Sequence, residues 1–127
     1  MSIRFTRPEM ALMTALQGLS FDTQVLDLPG TPDIVFPQER VVVFVHGCYW
    51  HRHFDCPIAR IPTKNGYEWL RQFAKNTRRD QRVVSELRND DWWVYVAWEC
   101  EIAQDPQLVA QGIRQTLSRR SNLSKIA

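Results

Sequence analysis

The chain has no apolar run long enough to cross a bilayer and no leader-like stretch at its start, so the expected setting is a reducing cytoplasm. It has no internal repeats. Cysteine is scarce and odd in number: the three present do not make a complete disulfide framework, which leaves thiolates free for metal. Net charge is small, at +2. With 127 residues and 44% apolar side chains, the chain suits one globular domain spanning 1–127 and can bury a core.

What the chain does have is concentrated. All three histidines (His46, His51, His53) and two of the cysteines (Cys48, Cys56) fall in the segment HGCYWHRHFDC, and only Cys100 lies elsewhere. Structural zinc takes four tetrahedral thiolate or imidazole ligands, often as a close group with one remote partner. Three sulfurs and one of the three imidazoles would complete such a set. Two histidines are then left over for reactive work. Charge is concentrated as well: from Arg60 to Arg88 there are eight Lys or Arg against three Asp or Glu. That excess suits a phosphate-facing surface, and equally a solvated helix face.

Thr6-Arg7-Pro8-Glu9 has the form of a capping box and predicts a helix from about Arg7 to Gly18, with Leu12, Leu16 and Leu19 toward the core. After the Pro29-Gly30-Thr31-Pro32 turn, Asp33 to Phe36 reads as a short strand. Arg40 to Val45 reads as a strand buried on both faces. Asn65, with Glu68 three residues on, predicts a capped helix to about Asn89 carrying Trp69, Leu70, Phe73, Val83, Val84 and Leu87 on one face. Trp92 to Trp98 reads as a second buried strand ending beside Cys100, and Asp105-Pro106 opens a helix to about Ser118, followed by a frayed polar tail. The order of elements implies an α/β sandwich in which the Cys- and His-bearing strand ends meet on one side.

Asp33 opens a strand directly after the proline turn, where a rigidly held carboxylate can coordinate Mg²⁺; the competing reading is a turn aspartate bonded to nearby backbone. Asp33, the strand Arg40 to Val45 and His46 have the framework of a PD-(D/E)xK nuclease core, with Phe44-Val45-His46 standing where an acidic residue and a lysine are expected.

The segments LPGTPDIVF, VVVFVHGCYWHRHFDC, NTRRDQR and WVYVAWEC, in that order from about Leu28 to Glu101, together resemble the very-short-patch repair endonucleases, which nick DNA at T:G mismatches. The resemblance implies an α/β, restriction-endonuclease-like three-layer sandwich: a mixed central sheet flanked by helices, with a structural zinc site. It implies Mg²⁺ on Asp33 and the Val45 carbonyl, His51 acting on the attacking water, His46 as a second active-site histidine, and Glu9 and Asp80 assisting. Zn²⁺ would be held by Cys48, His53, Cys56 and Cys100. Tyr49, Trp50 and Trp69 would form an aromatic wedge in the DNA stack, with Lys75, Arg78 and Arg79 on the backbone. Other readings remain beside these: Glu9 as a cap alone, Asp80 paired with neighbouring arginines, the cysteines as small hydrophobes and the aromatics as core.

Two departures from the family pattern stand out. Phe54 and Asp55 both separate His53 from Cys56 where one residue is usual, so spacing leaves His51 or His53 as the zinc ligand; chemistry favours His53, because a ligand cannot also be a free base. About eight residues precede the first helix where the family carries a longer arm, so weaker binding and a narrower margin of T:G over T:A are expected. The implied partner is double-stranded DNA, with other mismatch-repair proteins and no membrane, acting as a monomer. A nuclease cutting matched duplex at its own sequence and an inactive zinc-bearing DNA-binding module are the alternatives.

Overall fold

The computed structural model describes residues 5–54, 56–59 and 64–126; the Trp50 side chain, one of the expected wedge residues, lies outside what it describes. The first helix, α1 (Arg7–Ala15), begins as its sequence directs. The Thr6 N–H donates to Glu9 Oε1 at 2.8 Å and the Glu9 N–H to the Thr6 hydroxyl at 3.3 Å, a complete capping box. The helix stops three residues short of Gly18, which closes the following turn at φ +92°. Leu12 and Leu16 are fully buried and Leu19 packs against them.

Among the described residues, four strands form one mixed sheet in the order β1 (Asp22–Thr23), β2 (Ile34–Phe36), β3 (Val41–His46), β4 (Trp93–Trp98). The first three run antiparallel, while β3 and β4 are parallel in a register that sets Val41 opposite Trp93 and His46 opposite Trp98. Parallel neighbours need a long crossover, here supplied by α3 (Gly66–Asn89). Val41 to Phe44 are buried on both faces. Ile34, Phe36, Val41, Val43 and Ala97 pack with α1 and the C-terminal helix α5 (Pro106–Ile126); Val35, Val42 and Phe44 pack with Leu87 and Val83 of α3. Helices therefore cover both faces of the sheet, and strand alternation puts Asp33 and His46 on the α3 side.

The structure corrects several expectations. The tail does not fray at Ser118: α5 continues to Ile126, anchored by the buried Leu117 and by Arg120, which donates to the Glu39 carbonyl at 2.9 Å. Asn65 does not cap α3 with its side chain, because it sits in the left-handed region (φ 56°, ψ 37°) and not in the extended conformation that aims a cap at the first amides. Strand β4 starts at Trp93 and is mostly half-buried, being an edge of the sheet. Cys100 lies in an unforeseen short helix, α4 (Glu99–Gln104), whose Ile102 is buried. Leu70 is largely exposed.

Candidate active cleft and metal cluster

At the C-terminal ends of β3 and β4 the chain forms a one-turn helix, α2 (Cys48–His51), then a short 3₁₀ turn (Pro57–Ala59). On the α3 side a cleft opens, lined by Gly30, Thr31, Asp33, Val45, His46, His51, Arg79 and Asp80. The five residues expected to hold Mg²⁺ or act in the chemistry from these strands and helices thus meet in one place, Asp33, Val45, His46, His51 and Asp80, with Arg79 beside them. Glu9 reaches Asp33 from α1 through a hydrogen bond between the two carboxyl groups. Gly30 keeps the cleft wall tight: at φ +74°, a Cβ there would meet Val83 of α3 at 2.6 Å.

Asp33 Oδ2 accepts the Val45 N–H at 2.7 Å. Burial first, and then the neighbouring Glu9, push its carboxyl up to about 7. Burial works against charge on Glu9 too, but hydrogen bonds from Asp33, the Thr6 N–H, the Thr6 hydroxyl and Gln24 outweigh it and hold Glu9 below the usual range. The shared proton therefore favours Asp33 over Glu9. Two carboxyl groups crowded into sharing a proton fit a hard divalent cation, which relieves the repulsion and replaces that proton.

His51 Nδ1 lies 2.6 Å from Asp80 Oδ2, a geometry in which the imidazole donates from Nδ1 and leaves Nε2 as the accepting nitrogen. The His46 and His51 rings are stacked at 3.9 Å and nearly parallel. Burial, then the neighbouring His51 and Arg79, which disfavour a second positive charge, outweigh the pull of Asp80 and bring His46 down to about 4, so it is neutral at physiological pH.

Cys48, His53, Cys56 and Cys100 form a separate cluster, with all four ligand atoms within 4.8 Å of one another. His53 Nδ1 is 3.6 Å from Cys48 Sγ and 3.4 Å from Cys100 Sγ. A tetrahedral zinc with Zn–S about 2.3 Å and Zn–N about 2.0 Å spaces its ligand atoms roughly 3.5–3.8 Å apart, so the donor set and its spacing fit that ion. His53, and not His51, is the histidine among the thiols. Its ring stacks on Trp98 at 4.2 Å, and Glu99 accepts the Cys48 N–H at 2.8 Å. Burial pushes the Cys48 thiol up to about 12 and raises Cys100 as well.

The remaining predicted residues separate into three groups. Tyr49 and Trp69 meet at 6.0 Å, and Tyr49 packs edge-on against Phe73 at 5.3 Å. Arg79 lines the cleft. Lys75 and Arg78 line a different groove on α3 with Glu68, Arg71 and Gln72. The helical spacing of 75, 78 and 79 could have shown that division, since consecutive residues point about 100° apart. Sequence reasoning missed Arg52, whose guanidinium lies over the Phe73 ring at 4.0 Å.

Among the described residues no helix is long and apolar enough to cross a membrane. A family model described as DNA mismatch endonuclease Vsr matches residues 2–57, a span that holds Glu9, Asp33 and the whole segment from His46 to Cys56. The chain is 45% identical over 100 residues to the type II nicking enzyme V.XorIIP of Xanthomonas oryzae pv. oryzae, covering 77% of this chain and 73% of that protein. It is 37% identical over 99 residues to the type II nicking enzyme V.NmeAIP of Neisseria meningitidis, covering 76% and 70%. To the DNA mismatch endonuclease Vsr of Escherichia coli it is 36% identical over 108 residues, covering 85% of this chain and 69% of that enzyme. The family match and these alignments agree: the chain is a DNA endonuclease and belongs to the Vsr DNA mismatch endonuclease family.

Proposed function

We propose that this chain nicks one strand of duplex DNA at or beside a T:G mismatch, in a Mg²⁺-dependent hydrolysis, and that a structural zinc holds its fold together. The observation that carries the reading is the cleft in which Asp33 meets the His51–Asp80 pair at the ends of the central strands. Asp33 and the Val45 carbonyl would hold Mg²⁺, whose charge stabilises the phosphoryl oxygens as the bond breaks. Asp80 fixes the His51 tautomer, so that Nε2 faces the attacking water and takes its proton. Neutral His46, stacked on His51, orients that ring and offers a hydrogen bond to phosphate or water. Glu9 holds Asp33 in place while capping α1. The leaving 3′ oxygen gains its proton from solvent at the cleft mouth.

Tyr49, Trp50 and Trp69 would enter the base stack, an insertion that costs a few kcal/mol at a well-stacked step and less beside a wobble pair. Arg79, Lys75 and Arg78 would contact the backbone. The whole chain, 1–127, then acts as a single restriction-endonuclease-like domain, a cytoplasmic monomer working with other mismatch-repair proteins. A second reading, nicking of matched duplex at a fixed sequence, is favoured by the 45% identity to a protein named as a nicking enzyme. Paired oligonucleotides of one sequence, carrying T:G or T:A, test the two: faster nicking of T:G is expected, and equal Mg²⁺-dependent rates would establish the second reading.

A further inference from the structure

Arg52 stands between the two histidines that serve different sites. It closes α2 in the left-handed region (φ 55°, ψ 59°), and this reversal lets His51 face the cleft while His53 faces the thiols. Its guanidinium lies 4.0 Å from the Phe73 ring centroid and 5.7 Å from that of Tyr49. The same group donates to the Tyr49 carbonyl at 2.9 Å and to the Ala59 carbonyl. One planar cation therefore ties α2, the 3₁₀ turn and α3 together.

The rings it touches form a unit of their own. Tyr49 packs edge-on against Phe73 and Trp69, and Trp69 lies over Phe73 at 6.0 Å. None of the three belongs to the two hydrophobic clusters that fill the faces of the sheet. Their packing on one another and beneath the cation holds them as one group. An aromatic group that enters a base stack must arrive already ordered, because ordering it on binding subtracts from affinity. Guanidinium suits this role because it stacks on rings and presents donors in a fixed plane, which an ammonium cannot do.

We propose that Arg52 is a positioning residue for mismatch discrimination: it braces Tyr49 and Trp69 at the angle from which they enter the DNA. The proposal rests on the wedge reading of those two residues, and the test separates the failure of one from the failure of the other. The zinc-loaded full chain is titrated, without Mg²⁺, onto duplexes carrying 2-aminopurine beside a T:G or T:A pair. Initial nicking rates are then read on the same duplexes with Mg²⁺. The wild type should raise the fluorescence on T:G, and Tyr49→Ala should lose that rise.

Arg52→Lys keeps the charge and should keep zinc content, melting temperature and the salt dependence of binding. It should nonetheless lose the rise, and the ratio of T:G to T:A nicking should fall about tenfold, the scale of one lost stacked and hydrogen-bonded cation. Arg52→Lys with wild-type fluorescence and ratio overturns the proposal and leaves the wedge standing. No rise with the wild type, or an unchanged rise with Tyr49→Ala, overturns the wedge and the proposal together. If Arg52→Lys does not fold, Phe73→Leu removes the ring beneath the guanidinium and must give the same loss; an unchanged ratio there overturns the proposal.

Discussion

The segment from His46 to Cys56 feeds two sites that are chemical opposites. One is a set of soft donors in which burial raises the Cys48 and Cys100 thiols, so that these two stay protonated until a cation displaces their protons. The other is a cleft of carboxylates and imidazoles in which Asp33 is bonded to backbone and to Glu9, and His51 to Asp80. His51 belongs to the second and His53 to the first, and only Arg52 lies between them. The difference teaches that a reversal of backbone hand, more than distance along the chain, keeps a group of thiol donors apart from a cleft of carboxylates and imidazoles. Removing the first site should cost the fold. Removing the second should cost only the reaction.

The largest effect expected is that of Cys100→Ala. Cys100 is the thiol that α4 brings to the cluster; a zinc held there would lose its fourth donor, and site binding free energy is folding free energy. Metal content near zero and a much lower melting temperature are expected; a fully stable, stoichiometrically zinc-bound variant would defeat the structural assignment. Asp33→Asn should abolish Mg²⁺-dependent nicking while leaving zinc content and DNA binding in place. His51→Ala should slow nicking about 10²–10⁴-fold with zinc retained, whereas His53→Ala should release zinc. Zinc analysis of the two histidine variants decides this, and the reverse pattern would exchange their roles.

A smaller effect concerns pH. Asp33 titrates ordinarily at 3.8 and is raised to about 7 in the fold, so between those values the folded chain holds a proton that the unfolded chain has released. Its contribution to stability is complete below the lower value and is lost as pH rises through the upper one. In zinc-loaded, Mg²⁺-free protein the melting temperature should fall across that window, and Asp33→Asn should remove the fall. The smallest effect expected is on salt dependence: Arg79→Ala should lower the slope of log affinity against log salt by about 1, the loss of one phosphate contact. An unchanged slope would take Arg79 off the DNA.

Much of this arrangement is legible in the sequence because short-range rules govern it. The Thr6 to Glu9 capping box forms, β3 is buried on both faces, and the ends of β3 and β4 meet as their apolar patterns require. The clustering of Cys and His points to a shared region, but spacing alone leaves His51 and His53 undecided; the left-handed Arg52 separates them, and no side-chain pattern announces that conformation in an arginine. The short helix α4 is hidden because Glu99-Cys100-Glu101-Ile102 has too few turns to show a period, although its acidic first turn is a signal. The polarity of the tail suggests fraying. Its continuation depends on Leu117 and on the long reach of Arg120, contacts made across the fold.

The parallel pairing of β3 and β4 has a consequence in time. No hairpin can bring these strands together; α3 has to form and carry the chain back before Val41 finds Trp93. Such pairings are slow, because a long loop is closed before its contacts repay the cost. Cys48 and Cys100 lie just beyond the last rung of that ladder, so the thiol cluster can close only after the strands have zipped to His46 and Trp98. A metal taken up there would be captured late in folding, locking a topology that is already assembled and slowing its undoing more than it speeds its making.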